Sequence, residues 1–304
     1  MAVIKQRYIG WKNSDGPAFP NAGPSSLGFQ PPIPPFICSI IPSMNELRIA
    51  RAKASLESMP AEIMDKIVSI FIPASFARGD YNSPHSDFDF CVIRRDDVNT
   101  DLMTAIREFR FFEAFLDDPG TVLKDYVGLR VSDIPRTRQD VFNSAVYDGE
   151  RHVWPYLWVY AFDLLAHRIH IYGPDLVADM PVVDPKTLIA HRMQNVDILS
   201  DIEKAYEAKR NDFIVPRLTT HLMKWAQLYF GEPTINKFQV LPLFMENVPD
   251  FPVKPFAIEL WDEYINHRLF NYGAEENTPV IREFERRTLE FARELAAVLK
   301  THAT

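Results

Sequence analysis

Cysteine is scarce in this chain of 304 residues, which has only Cys38 and Cys91. Two cysteines build no disulfide framework, and nothing around them suggests a zinc site. Cys91 stands in an apolar strand pattern and reads as core. Positive charge is in deficit as well. Lys and Arg number 33 against 41 Asp and Glu, a formal net charge of −8 with a pI near 5.5. A polynucleotide binder carries a basic patch or stripe, and no basic run is evident here. That balance favours a compact substrate over a nucleic acid. Long apolar runs are also missing. No stretch reaches the length of a membrane span, and no charged start leads into an apolar signal segment. A cytoplasmic protein without a membrane partner is the expectation. No fixed-period repeat is visible.

What is present is globular in composition, with 47% hydrophobic and 24% charged residues. The length suits one large or two ordinary domains. Proline is concentrated near the start: Gly16–Pro42 holds 8 prolines, including Pro31-Pro32 and Pro34-Pro35. Such a segment is neither helix nor central strand. Its apolar residues, among them Phe19, Phe29 and Phe36, are too many for a free linker. It reads as an extended arm, residues 1–42, lying on the folded body.

The most informative stretch is Ile67–Arg94. It opens with the apolar, β-branched run Ile67 to Ile72, the pattern of a buried strand. Pro73, Ala74 and Ser75 break that run. Gly79, Asn82, Ser83 and Pro84 then mark turns. A second strand is expected from Asp87, through Asp87-Phe88-Asp89-Phe90-Cys91-Val92-Ile93. Residues two apart share a face of a strand. Asp87 and Asp89 therefore project together, and Phe88 and Phe90 project the other way. Paired carboxylates repel each other, and a divalent cation between them removes that cost. Mg²⁺ suits the position, because it takes one or two carboxylates and completes its shell with water and phosphate.

Ala74-Ser75, Ala77-Arg78-Gly79 and Ser86-Asp87-Phe88-Asp89 resemble the signature of the DNA polymerase β-like nucleotidyltransferase superfamily. The closer likeness is to its bacterial minimal and aminoglycoside-modifying members. Their pattern runs Gly-Ser, then Ala-Arg-Gly, then Ser-Asp-x-Asp entering a strand. Ala74 replaces the usual Gly. Weaker likeness continues to Ile171-Tyr172-Gly173-Pro174-Asp175-Leu176, which resembles the close of that catalytic domain. The resemblance implies an α/β (α+β) nucleotidyltransferase domain with a mixed sheet, followed by an all-helical domain. It implies metal-dependent transfer of a nucleoside monophosphate from an NTP, ATP first among them, to a hydroxyl group. Two Mg²⁺ ions would be held by Asp87, Asp89 and a third acid. Ser75 would meet the phosphates, and Arg78 would either bind phosphate or brace the loop.

The third acid belongs on a neighbouring strand. In Tyr126–Asp133, alternation places Val127, Leu129, Val131 and Asp133 on one face. Asp133 is therefore expected to be both metal ligand and catalytic acid-base group, with Asp125 and Asp140 as competitors. Helices are expected at 44–57, with Ser43 and Glu46 as a capping box, and at 100–116. A further helix is expected over the aromatic-rich 152–167. From Pro185 the pattern is helical throughout: 188–209, 213–230, 237–247, 255–270 and 280–300. The chain thus divides into the arm, a catalytic domain over 43–180 and a helical domain over 181–304. His221 and Lys224 lie three apart on one helix face, and Lys224 is within reach of a triphosphate. A small-molecule acceptor is the first expectation. Modification of a protein or tRNA, or nucleotide binding without catalysis, are the alternatives.

Overall fold

The computed structural model describes residues 44–80, 89–98, 102, 126–145, 158–208, 214–266 and 278–302. The arm over 1–42, the capping Ser43, Asp87, Asp125 and nearly all of the helix expected over 100–116 lie outside the described residues. Helix α1 (Met44–Glu57) runs over the expected span. Of its two helical stripes, the one through Ile49, Ala52 and Leu56 turns inward, while Leu47 stays half exposed. Pro60, with no N–H to give, stands before the short turn α2 (Ala61–Met64).

Four strands form one mixed sheet in the order β3-β2-β1-β4. Strand β1 (Ile67–Ile72) pairs antiparallel with β2 (Phe90–Arg94) and with β4 (Ile169–Tyr172). Strand β3 (Tyr126–Arg130) runs parallel to β2, with Phe90 opposite Tyr126 and Arg94 opposite Arg130. The second strand thus begins at Phe90, later than the alternation suggested, with Asp89 immediately before it. Its alternation sorts the two faces. Phe90 and Val92 join Ile70, Ile72 and Ile171 beneath α1. Cys91 and Ile93 join Phe71 and Leu129 on the opposite face. Gly173 follows β4 at φ +71, where a Cβ would lie 1.9 Å from the Val68 carbonyl oxygen, so both the backbone conformation and the space call for glycine.

The helix α3 (Ala74–Arg78) follows β1 directly, and α4 (Arg138–Ala145) follows a 3-10 turn over Val131–Asp133. In the aromatic-rich segment a second 3-10 turn, Trp158–Tyr160, leads into α5 (Ala161–His167). This helix supplies Ala161 and Leu164 to the Cys91 face of the sheet.

The remainder is helical: α6 (Pro185–Asn195), α7 (Ile198–Glu207), α8 (Ile214–Phe230), α9 (Val240–Asn247), α10 (Phe256–Asn266) and α11 (Pro279–His302). The single helix expected over 188–209 is two helices. Asp184 accepts the Thr187 N–H and Asp197 accepts the Ser200 N–H, so each starts its own helix, with Val196 extended between them. Helix α8 is the axis of this region. Of its 17 residues, 13 are buried, including polar ones, as a helix enclosed on every side requires. Each fully enclosed Leu222 or Met223 side chain contributes roughly 1.5–3 kcal/mol by leaving water. The core around α8 also takes in Val141, Val159 and Tyr160 from before β4. Among the described residues, no helix is long and apolar enough to cross a membrane.

Candidate functional site

The site is built on the turn after β1. Pro73 ends the strand, and Ala74 opens α3 at φ 60, a left-handed value that L residues rarely take. Glycine meets that geometry freely, so the smallest Cβ-bearing residue stands where the nucleotidyltransferase pattern has Gly. Ser75 is buried. Gly79 caps the helix at φ 82, and the Asp80 N–H returns to the Ser75 carbonyl at 3.0 Å. Ser75 to Asp80 thus fold into a closed loop with Ser75 at its base.

Arg78 is inside this loop, with its side chain 7% exposed. Its Nη1 donates to Asp163 Oδ2 on α5 at 2.7 Å, and its Nη2 lies 3.3 Å from Asp80 Oδ1. Burial opposes the charge, but the two carboxylates outweigh it and hold the guanidinium pKa above its ordinary value. Burial pushes the Asp163 carboxyl up, while the Arg78 charge pulls it back toward the ionised form. These contacts tie the turn after β1 to α5.

Asp80 is also buried, and it reaches the helical region. Its Oδ2 accepts the Lys237 N–H at 2.7 Å. The Lys237 carbonyl in turn accepts from Trp261 Nε1 at 3.0 Å. Trp261 packs against Tyr264, with ring centroids 5.0 Å apart. Lys224 lies against this pair. Its Nζ donates to Tyr264 Oη at 2.9 Å and stands 4.5 Å from the Tyr264 ring centroid. Burial lowers the Lys224 pKa, and the charges of Lys237 and Arg78 lower it further. Burial raises the Tyr264 phenol, but Lys224, Lys237 and Arg217 overcome it and bring its pKa below the ordinary value. His221, one turn from Lys224, is held well below its ordinary pKa by burial and then by Lys224, Arg217 and Arg192. Its Nδ1 meets the Tyr160 hydroxyl at 2.9 Å.

An ammonium group has three N–H donors. Among the described residues, Lys224 spends one of them, on Tyr264, and has no carboxylate in ion-pair range. A buried cation among other cations is costly unless an anion completes it. Two Lys224 N–H donors are thus unspent among the described residues, in a cluster of cations.

The acids divide differently. Asp89 stands just before β2 and near enough to Cys91 to help burial raise that thiol. This is the sheet face that α5 covers. Asp133 is a correction: it does not continue the strand face of Leu129. The chain leaves β3 after Arg130 and coils into a 3-10 turn, and the Asp133 carboxylate caps that turn by accepting the Arg130 N–H at 2.7 Å. Arg130 is level with Arg94, five residues along β2 from Asp89. At about 3.3 Å per residue this is about 16 Å, at the opposite end of the sheet. Asp140 is likewise committed, accepting the Arg136 and Thr137 N–H groups at the start of α4. Among the described residues, no three His, Cys, Asp or Glu side chains cluster as a metal site.

The structure thus brings Ser75, Arg78 and Lys224 toward one region and takes Asp133 out of it. Sequence reasoning missed Asp80, Lys237 and Tyr264. For Asp80 a signal existed, an acid directly after the Arg-Gly pair. For the other two there was none, since their positions follow from tertiary packing alone.

No family model matches the chain. No curated protein matches it either. Among solved structures it is similar to spectinomycin adenyltransferase AAD(9) from Enterococcus faecialis, determined with ATP and spectinomycin. That likeness has 14% identity and a TM-score of 0.49, and covers 83% of this chain and 98% of that chain.

Proposed function

We propose that the chain is a metal-dependent nucleotidyltransferase that moves a nucleoside monophosphate from a triphosphate to a hydroxyl group of a small acceptor. The observation that carries this reading is the buried Lys224 ammonium, with two N–H donors unspent among the described residues and Lys237 and Arg78 nearby. Those donors suit the β- and γ-phosphates. The Ser75 hydroxyl adds a donor from the turn.

Asp87 and Asp89 would hold Mg²⁺, which when bound stabilises the attacking and leaving oxygens. For the third acid Asp125 is the competitor that remains, because Asp133 and Asp140 are spent as turn and helix caps. The acceptor hydroxyl attacks the α-phosphorus, the bond to the β-phosphate oxygen breaks, and pyrophosphate leaves. A carboxylate within hydrogen-bond reach takes the hydroxyl proton. Arg78 braces the loop from behind. The net charge of −8 suits a cationic, hydroxyl-bearing acceptor.

The test is incubation with α-labelled ribonucleoside triphosphates, Mg²⁺ and a panel of polyhydroxylated amines. Label transfer with pyrophosphate release is expected with at least one pair. Absence of any Mg²⁺-dependent thermal shift with all four ribonucleotides, together with no pyrophosphate release, overturns the reading.

A further inference from the structure

We infer that Asp80 is a positioning residue, which sets Lys237 into the cationic cluster around Tyr264 and thereby completes the polyphosphate-binding end of the site. The inference rests on the function proposed above and assigns Asp80 a part in it.

The geometry is specific. Asp80 is 1% exposed, and its position is fixed because its N–H returns to the Ser75 carbonyl. Its contacts to Arg78 are long, 3.3 and 3.4 Å. Its short bond is the 2.7 Å one to the Lys237 N–H, 157 positions away in the chain. A carboxylate accepting a backbone N–H is a charge-assisted bond, about twice as strong as a neutral one. Both main-chain polar groups of Lys237 are spent outside its own segment, the N–H on Asp80 and the carbonyl on Trp261. The neighbouring residues close local turns instead: Phe238 donates to Asn236 Oδ1, and Asn236 to Thr234 Oγ1. Lys237 is thus the point where the segment before α9 is pinned from both sides. One pin comes from the Ser75 loop and the other from the indole that packs on Tyr264. The charge of Lys237 bears on both Lys224 and Tyr264. A displaced Lys237 would leave the Lys224–Tyr264 pair to hold the phosphates alone.

The experiment is a double-mutant cycle on the full chain, with the Kd for Mg·ATP and for Mg·tripolyphosphate read by calorimetry. Asp80→Ala is expected to weaken both about tenfold, which is about 1.4 kcal/mol. Lys237→Met is expected to do the same, and the double variant no more than either single one, because the two changes remove one interaction. Asp80→Asn keeps an acceptor for the Lys237 N–H and is expected to stay within about threefold of wild type. It also serves as the readout if Asp80→Ala does not fold. Additive losses in the cycle, or an Asn variant as impaired as the Ala variant, overturn the inference while leaving the proposed function standing. Wild-type protein that binds neither probe overturns both.

Discussion

Arg78 Nη1 donates to Asp163 Oδ2 at 2.7 Å across 85 positions of sequence, and both side chains are within 7% of full burial. This ion pair joins the turn after β1 to α5. Removing one partner strands the other in the interior, which typically costs about 3–5 kcal/mol. Arg78→Ala is therefore expected to lower unfolding free energy by about 3 kcal/mol in urea denaturation. The paired change Arg78→Met with Asp163→Leu should recover most of that. A single variant as stable as wild type would show that the pair braces nothing.

Two small residues have opposite prospects. Ala74 sits at φ 60. Ala74→Gly relieves about 1–2 kcal/mol of backbone strain and gives back about 0.5–1 kcal/mol in unfolded-chain entropy. A net gain of about 0–1.5 kcal/mol is expected. Gly173→Ala drives a Cβ to 1.9 Å from the Val68 carbonyl oxygen, and main chain cannot swing away as a side chain can. A loss of more than about 3 kcal/mol is expected. Thermal melting of the two variants checks both signs at once.

The third carboxylate is decided by activity rather than stability. Asp133→Ala is expected to cost about 1 kcal/mol through the lost turn cap and to leave turnover within about twofold. Asp125→Asn is expected to lower turnover by at least a hundredfold, about 2.7 kcal/mol in the barrier. Turnover measured on both, with Mg²⁺ saturating, separates the two acids, and the reverse pattern would restore Asp133.

Acid should weaken the fold through His221. Its pKa in the folded chain is well below 6.5, with burial the first cause. Below about pH 6.5 the unfolded chain takes up a proton that the folded chain refuses. The contribution is thus fully present above pH 6.5 and is lost as pH falls, by up to about 1.4 kcal/mol per pH unit. In His221→Asn this slope is removed. Denaturant midpoints at pH 7.5, 6.5 and 5.5 should bring the two proteins together toward acid. A constant gap between them would mean that His221 is not held neutral.

Much of the fold was legible because period is a local signal. The apolar run Ile67–Ile72 is a strand, and the stripe Ile49, Ala52, Leu56 is a buried helix face. What alternation cannot see is where a strand stops. Val131 to Asp133 continue the pattern of β3, but Asp133 has a closer partner in the Arg130 N–H, and the chain curls to meet it. The break between α6 and α7 was hidden for the same reason, with Asp197 serving as a cap inside an unbroken helical pattern. Lys224 stood out as a candidate, yet its burial did not. Thr219, Thr220, His221, Lys224 and Gln227 look like a wet face, and only the helices around α8 make it a dry one. Tyr264 reaches Lys224 from 40 positions away, a distance at which neither period nor spacing carries information.

The enclosure of α8 bears on how such a chain diversifies. One helix serves as the hub of the helical region and as the carrier of the buried Lys224 ammonium, so under the proposed function a change there is tried against packing and ligand together. Few exchanges satisfy both. Novelty in what the chain acts upon would therefore accumulate on half-exposed positions such as Phe238, 64% open to solvent beside Lys237. The hub would drift slowly while its rim is rewritten.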